Sequence, residues 1–171
     1  MDKAEIIRLT VEACKEYDQK QRIKNIKSRH DRRLRNTRLL LKHYNYFNTH
    51  VDNVIYSVGQ ISAIDALDEI DGENSEMYIK SIKKSASLTH VVMSHVKAML
   101  EIYESFALRK GESEQRKLRV LKAFYFENTR MYDIAINENI VERTCTRDLG
   151  DALNTLSALI FGIDSVHEMV E

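Results

Sequence analysis

Proline is absent from this chain, and glycine occurs five times in 171 residues. Proline removes a backbone donor and clashes with the preceding turn of a helix. Glycine in a helix interior costs about 1 kcal/mol against alanine. A chain so poor in both has few places to bend sharply, which predicts an all-α fold. Cysteine is scarce too: Cys14 and Cys145 form no spaced pair. That excludes a disulfide framework and fits a reduced, cytoplasmic compartment. Net charge is missing as well, with 26 basic and 26 acidic residues, so no global pull toward nucleic acid or membrane exists. Long apolar runs are absent. The first is broken by Glu5, Arg8 and Glu12, unlike a signal peptide, and none nears the ~20 residues of a membrane span. No membrane partner is expected.

The charge that is present is unevenly placed. Lys15 to Lys42 holds eleven Lys or Arg against three acids, whereas Glu112 to the end holds seven against eleven. Apolar residues recur at helical spacing. Leu34, Leu41, Tyr44, Phe47, Val51 and Ile55 share one face, widened by Leu40 and Val54. The Ser-x-x-Gln form of "SVGQ", Ser57 to Gln60, predicts a helix start, then a short helix to about Ile70. "DGENS", Asp71 to Ser75, reads as a turn. A second long helix is expected from about Glu76 to Arg109, with Ile82, Thr89, Val92, Val96, Met99, Tyr103 and Phe106 as its stripe. Pairing the two long helices antiparallel buries both stripes; a coiled-coil dimer through the same stripes would bury them equally well. "RKGES", Arg109 to Ser113, reads as a boundary. The expected organisation is an N-terminal helical hairpin, residues 1–111, and a helix-turn-helix domain, residues 112–171.

The second domain rests on one stretch. A helix over Gln115 to Phe126 leads to another over Met131 to Glu138, with Ile134 and Ala135 facing inward. Asn139 falls at the turn, where a left-handed backbone suits glycine or asparagine. Ile140 points back to the core. A third helix starts near Glu142 with Cys145 and Leu149 inward, so Glu142, Arg143, Thr146 and Arg147 face outward. Arginine grips guanine edges or phosphates, and threonine hydrogen-bonds or packs on a thymine methyl.

"YFENTRMYDIAINENIVERTCTRDL", Tyr125 to Leu149, resembles region four of bacterial sigma factors, which binds the upstream promoter element. Tyr125-Phe126-Glu127, Ile134-Ala135, Ile140, Thr144 and Leu149 carry the resemblance. The chain is also similar to small sigma-like regulators of phages and prophages of Gram-positive bacteria, the ArpU and RinA type. "RRLRNTRLLLKHY", Arg32 to Tyr44, and "LSALIFGID", Leu156 to Asp164, add to that likeness. The resemblance implies a DNA-binding transcriptional regulator with Arg143, Thr144, Thr146 and Arg147 at the DNA. The chain departs from the pattern at several positions. Glu138 and Asn137 stand where apolar residues are usual, and Val141 replaces a capping serine. Asp148 stands where a basic residue is common, and Asp151 adds an acid. Both carboxylates would oppose phosphate.

The basic stretch "KQRIKNIKSRHDRRLRNTR", Lys20 to Arg38, offers Arg22, Lys24, Lys27, Arg29, Arg32, Arg33, Arg35 and Arg38 as accessory phosphate contacts. An acidic surface of RNA polymerase is an alternative partner for it; a solvated helix face is the bland one. Other constellations carry no chemistry. His90 and His95 are five apart, off the i, i+4 spacing of a helical metal pair. His43 and His50 share a face with no ligand between them. The acids Asp65 to Glu76 around Gly72 put Leu67 at the first ligand position of a calcium loop, where an oxygen is required. No phosphate loop or nucleophile elbow occurs. The expectation is therefore a non-enzymatic, cofactor-free, sigma-like activator that binds double-stranded DNA. A protein-binding adaptor that keeps the helix-turn-helix only as structure is the competitor, favoured by the acidic C-terminal third.

Overall fold

The computed structural model describes residues 2–52 and 86–162. Six helices and no strand occur among them, so the chain is all-α. They are α1 (Lys3–Lys42), α2 (Tyr44–Asp52), α3 (Ala86–Lys110), α4 (Glu112–Tyr125), α5 (Met131–Asn137) and α6 (Glu142–Phe161). The helix start at Ser57, the short helix to Ile70, the turn at 71–75, the onset at Glu76 and the acids at 65–76 lie outside the described residues. So do the stripe side chains Val51, Val54, Ile55 and Ile82.

Contacts divide the chain into two compact units, Met1–Arg32 and Arg33–Glu171. The first is a stretch of α1 in which no side chain from Thr10 to Arg32 is buried. With no proline or glycine over 40 residues, intrinsic propensity sustains the helix there.

The second unit holds the core. Leu40, Leu41, Phe47, Val92, Val96 and Tyr103 are fully buried, and so are Val120, Leu121, Cys145 and Leu156. The stripes predicted for the long helices are thus the buried faces, with Leu34, Tyr44, Met99 and Phe106 packed at the margin. The helix pairs α4 and α6, α3 and α4, α2 and α3, α3 and α6, and α5 and α6 pack together. Two expectations change. The division at residue 111 is not where contacts divide, because α3 and α4, on either side of it, share one core. Of the expected hairpin, the part described is α2 on α3, while α1 is solvated over most of its length.

Gly111 is a corner inside the unit. Its φ of +99° is a backbone few residues other than glycine adopt. Its N–H donates to the Ala107 carbonyl at 3.1 Å, ending α3, and its carbonyl accepts from Glu114 and Gln115, starting α4. Tyr103, on α3, donates to Glu114 Oε1 at 3.0 Å across that corner. Burial, then the Glu114 carboxylate, holds this phenol far above its ordinary range.

Candidate nucleic-acid interface

α4 organises the candidate site by sending its apolar residues and its cations to different neighbours. Leu118, Val120 and Leu121 enter the core. Arg116 Nε donates to Asp148 Oδ2 on α6 at 2.8 Å, and Lys117 lies 3.4 Å from Asp151. Arg119 makes a bidentate pair with Glu138, both bonds 2.8 Å, and also reaches Glu112 at 2.6 Å. Lys122 lies 3.2 Å from Glu104 on α3. The Arg119 guanidinium is held above its usual range, first by its hydrogen bond to Glu138 and then by that to Glu112.

These pairs revise two readings of the sequence. Asp148 does not project toward a ligand: it is 1% exposed and neutralised by Arg116. Glu138 fills an apolar position of the sigma pattern because Arg119 meets it bidentately, the strong geometry for a carboxylate. Much of the excess of acids in this part of the sequence is therefore offset by pairing, with Glu142 left exposed at the start of α6. Glu112, Glu114, Glu138, Asp148 and Asp151 all face cations of α4.

The turn between α5 and α6 has the predicted anatomy. Asn139 takes φ 53°. Its N–H donates to the Ile136 carbonyl at 3.0 Å, and Ile140 N–H donates to Ala135 at 2.9 Å. That pair of bonds is a Schellman closure with asparagine at the left-handed position. Ile134 and Ala135 are buried on α5, Ile140 packs against the core, and Cys145 and Leu149 face inward from α6. Burial, aided by Asp148, Glu138 and Glu142, pushes the Cys145 thiol up, so it is a packing residue and no nucleophile. α6 begins at Val141, which offers no side-chain cap; Thr144 and Cys145 donate backbone N–H groups to the Val141 carbonyl instead.

The four expected DNA contacts separate. Arg143, Thr146 and Arg147 are exposed on the first two turns of α6, at the i, i+3, i+4 spacing of one face. Neither arginine makes an ion pair among the described residues. Thr146 Oγ1 is committed to the Glu142 carbonyl at 3.0 Å, leaving its methyl and lone pairs for a ligand. Thr144 is half-buried and lies off that face. Comparison with protein-family models, with curated proteins and with solved structures finds no match.

The accessory residues divide as well. Arg22, Lys24, Lys27, Arg29, Arg35 and Arg38 are exposed, and Arg32 and Arg33 are half-buried. The Arg33 guanidinium lies 5.9 Å from the ring centre of Phe161, a structural cation–π contact. Three apolar side chains beside the turn are exposed where the sequence reading expects no site. Tyr132, Ile136 and Val141 are 64%, 59% and 68% exposed. The signal was present: Tyr132 and Ile136 are four apart and out of phase with buried Ile134 and Ala135. Arg130, at the start of α5, is exposed there too. No group of three or more His, Cys, Asp or Glu able to hold a metal occurs among the described residues. His95 instead contacts the Ile160 carbonyl at 3.1 Å. Among the described residues no helix is long and apolar enough to cross a membrane.

Proposed function

We propose that this chain is a non-enzymatic, cytoplasmic transcriptional regulator that binds double-stranded DNA, a sigma-like activator of phage or prophage genes. The observation that carries the reading is the start of α6. Arg143, Thr146 and Arg147 share an exposed face there, and of the acids near them Glu138 and Asp148 are drawn into pairs with α4 while Glu142 stays exposed. A helix presented this way after a tight turn suits the major groove, with its first outward residues on base edges. The exposed cations of α1 add sequence-independent attraction to phosphate. RNA polymerase and a second copy of the chain are further partners under this reading. Binding of the full chain to duplex fragments over a salt series tests it: specific binding should fall linearly in log–log form as salt rises. Absence of binding at low salt would reject it.

One observation favours a second reading, a protein-binding adaptor. Tyr132, Ile136 and Val141 leave three apolar side chains in water around the same turn, where a partner protein would bury them. Retention of RNA polymerase by the chain without any duplex binding would select that reading.

A further inference from the structure

A second candidate site lies where the end of α1 meets the end of α4, inside the second unit. A cleft of about 390 Å³ is lined there by Arg38, Lys42, Phe124, Tyr125, Asn128 and Thr129, with Leu39 at its side. Its volume is within the range of small-molecule sites. Its lining contains two cations and no carboxylate. Arg38 and Lys42 are one helical turn apart, exposed, and without an ion pair or side-chain hydrogen bond among the described residues. The Phe126 carbonyl just beyond α4 accepts from Asn45 Nδ2 at 2.9 Å. The far wall is pre-formed. Asn128 holds φ 57°, and Thr129 N–H donates to the Ala123 carbonyl at 3.0 Å. Burial raises the Tyr125 phenol while Arg38 pulls it down, so guanidinium and ring are within electrostatic reach.

We propose that this cleft binds a nucleoside phosphate, with Arg38 and Lys42 on the phosphate and the Phe124 and Tyr125 side chains against the base. A guanidinium fork and an ammonium one turn apart suit phosphate oxygens. Aromatic walls suit a flat base and would be idle with a bare anion. The bases of a duplex are stacked and paired, so the ligand is a free nucleotide or an unpaired nucleotide of a single strand.

Calorimetric titration of the full chain with adenosine monophosphate, adenosine, inorganic phosphate and a short single-stranded oligonucleotide tests this. Either adenosine monophosphate or the oligonucleotide should bind, and which one does identifies the source. Where adenosine monophosphate binds, adenosine and phosphate should each bind more weakly than it by about tenfold or more. Arg38→Gln/Lys42→Gln should lose about tenfold or more for whichever ligand binds, with an unchanged melting curve because both side chains are exposed. Arg143→Ala/Arg147→Ala should bind these ligands as the native chain does, which separates this site from duplex binding. Binding of none of the four probes, binding of adenosine as tight as that of whichever phosphate-bearing ligand binds, or native affinity in the Arg38/Lys42 variant would overturn the proposal.

Discussion

From Thr10 to Arg32 no side chain is buried, whereas each helix of the second unit buries at least one fully or nearly so. Both regions are helical for different reasons. In the first, the hydrogen-bond ladder runs on propensity, helped by local pairs such as Lys20–Glu16 at 3.9 Å and Gln21–Tyr17 at 3.0 Å. Each such pair stabilises a helix by about 0.2–0.5 kcal/mol. In the second, short helices such as α5, seven residues long, exist only because packing holds them, since an isolated helix of that length is unstable in water. Charge follows the same division. Cations of α4 are drawn into pairs with acids of neighbouring helices, while Arg22, Lys24, Lys27 and Arg29 stay open to solvent. A residue count along the sequence sees the two sets of charges as equivalent; burial and pairing make them different.

The difference between the two regions is largest in the core. Phe47→Ala removes a fully buried ring and should cost about 3–5 kcal/mol of unfolding free energy. Tyr17→Ala removes a ring that is 62% exposed and should cost under about 0.5 kcal/mol. Chemical denaturation of both variants checks the contrast, and similar losses would erase the distinction between the regions.

Asp148→Ala should come next. It strands Arg116 beside a buried position, at a cost of about 2–3 kcal/mol, below the full penalty for a broken buried pair because Arg116 can swing to solvent. Asp148→Asn should recover part of that loss, and an equally stable Ala variant would show that the pair does not stabilise the fold.

Tyr103→Phe deletes the hydrogen bond to Glu114 and should cost about 1–2 kcal/mol near neutral pH. Its pH dependence has a definite sign. The folded-state phenol titrates above its ordinary value of 10.0. Its contribution is therefore complete below pH 10.0 and is lost as pH rises from there toward the folded-state value. Melting curves between neutral and strongly alkaline pH should fall less steeply for Tyr103→Phe than for the native chain.

The smallest stability effect belongs to the first unit. Replacing Arg22, Lys24, Lys27 and Arg29 together by glutamine should change stability by about 0.5 kcal/mol or less. On DNA the same variant should lower the salt slope by about one for each phosphate that is no longer neutralised. An unchanged slope would leave these residues as a solvated helix face.

Much of the fold is legible in the sequence. The absence of proline and the spacing of Leu40, Phe47, Val92, Val96 and Tyr103 point to the buried faces, and Asn139 marks the turn. The boundary expected at Gly111 fails because a sharp corner and a domain limit leave the same local signature. Only the packing of α3 on α4 separates them. In the candidate site, the outward set Arg143, Thr146 and Arg147 follows from helical period alone. In the sequence Asp148 looks opposed to phosphate and Glu138 looks out of place at an apolar position. Their partners Arg116 and Arg119 lie 32 and 19 residues away, and no local pattern links such pairs. The cleft at Arg38 and Lys42 likewise joins residues from distant parts of the chain.

Under the proposed function, the exposed start of α6 reads DNA. The most direct test compares the native chain with Arg143→Ala/Arg147→Ala on one cognate and one scrambled duplex across a salt series. Each substitution should cost about 1–3 kcal/mol on the cognate duplex, so that the preference for it collapses in the double variant while the melting curve stays native. Native affinity and native preference in the double variant would contradict it.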